Sequence, residues 1–138
     1  MGAIKITPAD KWFSKCIRSR AGWSCQRCDK NYQHNTRGLD CSHVIGRGKW
    51  SVRFDPDNAL ALCVHCHFEM GSNPHEHKKL IKKILGEARY DLLIERSECV
   101  DRGKEYRKTK GKGEISAHYK AQFEALERLE IMDFIAFI

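Results

Sequence analysis

The chain has 138 residues, the size of one domain, and carries 25 Lys plus Arg against 18 Asp plus Glu, a formal charge of +7. No apolar run approaches the ~20 residues that span a bilayer, and the first residues lack the apolar core of about 7–15 residues that marks a secretory signal. Membrane-spanning and secreted classes are therefore set aside, a reducing cytoplasm is the expected compartment, and the cationic surplus points to polyanionic partners.

The surplus is uneven. Residues 1–50 hold ten Lys/Arg and three Asp/Glu, whereas residues 51–100 hold seven against eight. The net excess therefore sits in the N-terminal third. A smaller basic run follows at 102–112, and acidic residues dominate from Glu114 onward.

In chain order, Thr7-Pro8-Ala9-Asp10 combines a cap, a proline at the first helical position and an acid three residues on. It predicts a helix through about Ser19. Residues 22–57 read as loops and short strands, the best strand being Leu39 to Ile45, which leads into a Gly46–Gly48 turn. Asp57-Asn58 can open a helix carrying Ala59, Leu60 and Leu62. Asn73-Pro74 starts another helix, with Leu80, Ile81, Ile84 and Leu85 at helical spacing and Gly86 as its stop. Glu87 to about Glu98 is the next. Residues 101–113 read as an exposed basic linker, and Glu114 to about Met132 as an amphipathic helix with Tyr119, Phe123, Leu126 and Leu129 on one side. The apolar end, Ile131 to Ile138, docks either on the core or on a second subunit. The expected class is α+β, with an N-terminal helix (1–22), a core (23–75) and a helical extension (76–138) in one domain.

Seven cysteines in a reducing compartment suggest metal or catalysis. Cys25-Gln-Arg-Cys28 and Cys63-Val-His-Cys66 are two knuckles, and each two-residue gap lets both thiolates reach one ion. Together they make a four-cysteine structural Zn2+ site. The alternative, a redox CxxC, prefers a βαβ setting that the sequence lacks. Cys16, Cys41 and Cys99 remain and read as small buried hydrophobes. Between the knuckles lie 34 residues, more than a simple zinc ribbon holds.

That insert contains Leu39-Asp-Cys-Ser-His43-Val-Ile-Gly-Arg47 and then Val52-Arg53-Phe54-Asp55-Pro56-Asp57-Asn58, and His67 directly follows the second knuckle. A histidine at a strand end, an asparagine and a later histidine resemble the HNH, or ββα-metal, nuclease pattern over about residues 23–75. The fuller stretch, with Gly71-Ser-Asn-Pro74 and Gly86-Glu-Ala88, is most similar to the phage NinG (Rap) recombination endonucleases and also resembles phage endonuclease VII. The resemblance implies a ββα-metal core pinned by zinc and flanked by helices. It also implies a bacterial host cytoplasm, a DNA endonuclease activity, and branched or junction DNA as substrate.

Carried over by position, the resemblance makes His43 the general base, Asn58 the brace of the loop and base, and His67 a ligand of a catalytic Mg2+ or Mn2+. It departs at one slot: the acid that commonly precedes the base is here Ser42. The nearest acid, Asp40, is the candidate second ligand, with Ser42, a backbone carbonyl or water as rivals. Strand alternation puts Asp40 on the face opposite His43 unless the strand bulges.

Arg47, Lys49 and Arg53 flank the proposed chemistry and are candidate phosphate contacts, as are Lys78 and Lys82 on the 74–86 helix, where a solvated charged face is the alternative. His65 reads as a surface residue, and His75 and His77 as a solvated face. Trp12, Trp23 and Trp50 read as packing residues. A homodimer through the C-terminal helix and tail is the expected assembly if two sites act on one substrate. A non-catalytic zinc-stabilised nucleic-acid-binding module is the rival function, and the Ser42 slot is the feature that favours it.

Overall fold

The computed structural model of the protein describes residues 4–108 and 113–138. Its first helix, α1 (Pro8–Arg20), begins as the capping pattern requires. The Thr7 hydroxyl oxygen accepts from the Asp10 N–H at 3.3 Å, and the Asp10 carboxylate accepts from the Thr7 N–H at 2.8 Å. Asp10 then does a second job. It is buried and takes two bonds from the Arg53 guanidinium, at 3.0 and 2.7 Å, which ties the helix start to the loop ahead of the second strand.

Two strands form the antiparallel sheet: β1 (Leu39–His43) and β2 (Ala59–Cys63), in register from Leu39 opposite Cys63 to His43 opposite Ala59. The expected helix over Ala59, Leu60 and Leu62 is thus a strand. Its helical start signal is used up locally, because the Asp55 side chain caps a single 3-10 turn at Pro56–Asn58. The five residues that follow are all buried, and a short apolar run of this kind fits a strand or a helix equally until its pairing partner is known. One further bond, Val44 N–H to the Asn58 carbonyl at 2.9 Å, extends the ladder just past β1.

After β2 the chain turns at once into α2 (Val64–Ser72), with Cys63 as its cap, then α3 (Pro74–Leu85) and α4 (Glu87–Ser97). Gly86 separates the last two with a φ of 86°, a left-handed conformation that suits glycine. The expected linker begins as a helix, α5 (Val100–Lys108), whereas residues 109–112 lie outside the described residues. Two side chains of α5 turn inward. Tyr106 is buried in the aromatic core, and Arg102 reaches the Ser51 carbonyl at 2.8 Å and the buried Asp55 carboxylate at 3.6 Å. Arg96 of α4 holds the same carboxylate from two nitrogens, at 2.6 and 3.1 Å.

Helix α6 (Glu114–Glu127) stops short of Met132. Leu129 adopts a φ of 59° and the Glu130 N–H reaches back to the Ala125 carbonyl at 2.9 Å, a helix-ending loop that more often uses glycine. Leu129 is consequently exposed, not part of the apolar side with Tyr119 and Leu126. The tail docks on its own chain. Phe134 is buried, the Phe137 N–H donates to the Tyr119 hydroxyl, and the Ile138 N–H donates to the Tyr106 hydroxyl. Met132 and Ile135 stay exposed.

The core lies where α1, α6, the sheet and the tail meet. Phe13 of α1 contacts Phe54, Tyr119 and Phe134 edge-on at centroid distances of 5.2–5.9 Å. The buried Tyr119 hydroxyl donates to the Phe54 carbonyl at 2.6 Å, and among the described residues no buried side-chain N or O lacks a partner. Cys16 is buried in this core, Cys41 is half-buried, and Cys99 is exposed, contrary to its expected burial. No helix among the described residues is long and apolar enough to cross a membrane.

Candidate functional site

The two knuckles meet beside the β2–α2 junction. The Sγ atoms of Cys25, Cys28, Cys63 and Cys66 all lie within 4.8 Å of one another, and Cys28 and Cys63 are 3.9 Å apart. A tetrahedral zinc site with Zn–S bonds of about 2.3 Å has sulfurs roughly 3.8 Å apart, so the donor set and its spacing fit such an ion. Backbone groups already aim at the sulfurs: the Cys28 N–H donates to Cys25 Sγ and the Cys66 N–H to Cys63 Sγ. Arg27 reaches Cys66 Sγ at 3.5 Å and also pairs with Glu69. The four cysteines can hold a metal ion such as zinc, fastening the 25–28 loop to the start of α2.

Asp40, His43 and His67 converge on one cleft, together with Arg47 and a row of α1 residues. The expected alternation of β1 holds, with no bulge in its register. Asp40 and Ser42 point to the α2–α3 side, where Asp40 Oδ2 accepts from His67 Nδ1 at 3.0 Å and the Ser42 hydroxyl meets His77 Nε2 at 3.2 Å. His43 points to the α1 side, its ring 5.7 Å from that of Phe13. In a two-stranded sheet β1 has a free edge, and the cleft wraps around it. Residues on opposite faces thus share one cavity, which alternation alone argued against.

The His43 ring is fixed from one side. Its Nε2 donates to the Arg53 carbonyl at 2.9 Å, which leaves Nδ1 as the proton acceptor. Burial pushes this imidazole down to about 4, and the positive charge of Arg47 adds to that, while the carbonyl bond opposes it. The ring is therefore neutral at pH 7, as a base must be, but a value this far below the operating pH makes it a weaker base than an ordinary imidazole.

Asn58 is fully buried and works on the loop after β1. Its Oδ1 accepts from the Ile45 N–H at 2.8 Å, and its Nδ2 donates to the Ile45 and Val52 carbonyls at 2.8 and 3.0 Å. It braces the 45–52 loop, which brings Arg47 into the cleft. Its link toward His43 is the Val44 N–H, from the residue after His43, donating to the Asn58 carbonyl at 2.9 Å.

The candidate phosphate contacts divide. Arg47 lines the cleft. Arg53 is only 3% exposed and, besides Asp10, donates to the Lys5 and Arg47 carbonyls, so it holds the loop and does not face a ligand. Lys49 lies in a separate groove against α5. Lys78 and Lys82 sit on α3 and do not line the cleft, and Lys82 lies over the Tyr90 ring and 3.9 Å from Glu87. His65 is exposed and bonded to Glu69. His75 is exposed, but His77 is buried, and burial together with the neighbouring His67 holds it below the ordinary histidine range.

Lys11, Lys15 and Arg18 of α1 also line the cleft and were not singled out from the sequence. Their signal was present, because positions i, i+4 and i+7 share one helix face. None of Lys11, Lys15, Arg18 or Arg47 has an ion-pair partner among the described residues. The one acid of α1 in the cleft, Asp10, is already neutralised by Arg53. The cleft is thus a net cationic cavity that joins a neutral imidazole to a carboxylate–histidine pair. Compared with known proteins, the chain matches no family model, no curated protein and no solved structure.

Proposed function

We propose that the chain is a metal-dependent DNA endonuclease on a ββα-metal (HNH) core that hydrolyses phosphodiester bonds. The observation that carries this reading is the convergence of His43, His67 and Asp40 in one cleft rimmed by Lys11, Lys15, Arg18 and Arg47. Cations with no acidic partner among the described residues suit the phosphates of a nucleic-acid backbone. Of the four, Arg18 also donates to the Ser14 and Thr36 carbonyls, and Lys15 lies over the Trp12 ring. His43 Nδ1 takes the proton of the attacking water, and the Arg53 carbonyl keeps the ring in the required tautomer.

His67 engages Asp40 through Nδ1, which leaves Nε2 as a metal donor, and Asp40 is the neighbouring oxygen donor or the partner that orients His67. This imidazole–carboxylate pair fits Mg2+ or Mn2+, whose remaining positions are commonly taken by water and substrate phosphate. When bound, such an ion supplies charge stabilisation to the scissile phosphate and the leaving oxygen. The four-cysteine site is structural on this reading, and Zn2+ is its ion. A homodimer through α6 and the tail would bring two clefts to one substrate.

The second reading, a non-catalytic zinc-stabilised nucleic-acid-binding module, is favoured by one observation. Ser42 replaces the expected acid, and its hydroxyl is turned to His77. A cleavage panel separates the two: purified protein, Mg2+ and Mn2+ series, and duplex, flap and four-way-junction DNA. We expect cleavage dependent on the divalent ion and fastest on a branched substrate. Tight binding without cleavage in any arm would support the module instead.

A further inference from the structure

Outside the cleft, the 48–51 segment and helix α5 enclose a second groove, lined among others by Lys49, Lys104 and Arg107. All three are exposed, and none has an ion-pair partner among the described residues. Lys104 and Arg107 stand three residues apart, on the α5 face opposite to the inward-turned Arg102 and Tyr106. One acid, Glu98, also lines the groove, so its lining keeps a net positive charge.

The groove walls are fixed in place. The Ser51 hydroxyl donates to the Ser97 carbonyl at 2.6 Å, and Arg102 Nε donates to the Ser51 carbonyl at 2.8 Å. The turn between the two cavities is closed by the Lys49 N–H on the Gly46 carbonyl at 3.0 Å. Arg47, on one side of that turn, faces the cleft, and Lys49, on the other, faces the groove. Two residues of chain span at most about 7 Å of backbone, so the cleft and the groove adjoin across this one turn.

We infer that this groove is a second binding site for nucleic-acid phosphates, continuing the track that leaves the cleft at Arg47. The inference rests on the nucleic-acid reading of the cleft and extends it: the substrate must run past the cut site toward α5, not end at it. Short substrates that fill only the cleft therefore lose these contacts.

The test compares wild type with the triple variant Lys49→Gln, Lys104→Gln, Arg107→Gln on one duplex, with binding measured from low to moderate salt. Each lost phosphate contact lowers the slope of log K against log salt by about 0.9. The expected decrease is about 2–3 in slope. An unchanged slope in a variant that melts like wild type would overturn the inference while leaving the cleft reading intact. A wild type that binds no nucleic acid would overturn both. Cys99 gives a readout without mutation, since it is exposed and lines the groove. Bound duplex should slow its alkylation by a maleimide several-fold, and equal rates with and without bound duplex would also contradict the site.

Discussion

Replacing Asn58 with alanine removes three bonds at once, those to the Ile45 N–H, the Ile45 carbonyl and the Val52 carbonyl, at 2.8, 2.8 and 3.0 Å. Asn58 has no exposed surface, and its removal leaves the Ile45 groups without this brace while the Val52 carbonyl keeps the Asp55 N–H. A net hydrogen bond contributes about 1 kcal/mol, and an orphaned buried group costs about 1–3 kcal/mol. Water entering the space relieves part of the second figure, so the expected loss is about 3–5 kcal/mol. Set against a typical total of about 5–15 kcal/mol, that is a large share. Urea unfolding with an unchanged m-value of about 2 kcal/mol per molar should move its midpoint down by roughly 2 M. Asn58→Asp sharpens the test. It retains the acceptor for Ile45 but turns a carboxylate oxygen toward two carbonyls, so it should be at least as damaging. A loss below about 1 kcal/mol in Asn58→Ala, or a well-tolerated Asn58→Asp, would refute the reasoning that this side chain holds the 45–52 loop.

Arg53→Gln strands the buried Asp10 carboxylate and should cost about 3–5 kcal/mol in the same urea assay. Adding Asp10→Asn should restore a good part of it, and no recovery would contradict the pairing. His43 supplies a pH test. Its folded value of about 4 lies below the ordinary 6.5, so the unfolded chain takes up the proton first as pH falls. Wild type should therefore lose up to ~3 kcal/mol relative to His43→Gln between pH 6.5 and 4, and parallel curves would contradict the buried neutral ring. Strong chelation should release one zinc per chain and abolish cooperative unfolding, and an intact cooperative fold without metal would count against the four-cysteine site. Lys15→Gln with Arg18→Gln should weaken DNA binding and lower its salt slope by about 2, and an unaltered slope would remove α1 from the interface.

What the sequence disclosed, and what it withheld, follows the range of the interactions involved. The α1 cap, the Pro74 start and the Gly86 stop are local, and each element begins or ends within a residue or two of its signal. The knuckles were legible because spacing alone constrains two thiolates. Residues 59–63 were not, since pairing with β1 decides a short apolar run and no local pattern does. Arg53 was misplaced because its charge looked available, and only the fold brings Asp10 to it from forty-three positions away. The convergence of Asp40 with His43 was hidden for a related reason. Alternation describes the two faces of a strand, but whether a cleft wraps its free edge depends on what packs beyond it. The cationic first third of the chain was plain from the sequence, while the α1 face that concentrates it at the cleft became clear only with α1 set beside β1.

The most direct test of the nuclease reading is the single-turnover cleavage rate of His43→Ala at saturating DNA and fixed Mg2+, with binding measured in parallel. A general base contributes about 10²–10⁴-fold. The expected result is a loss of at least about a hundredfold in rate with DNA affinity held within a few-fold. A variant that binds and cleaves like wild type would contradict the assignment of His43, and with it the proposed chemistry of the cleft.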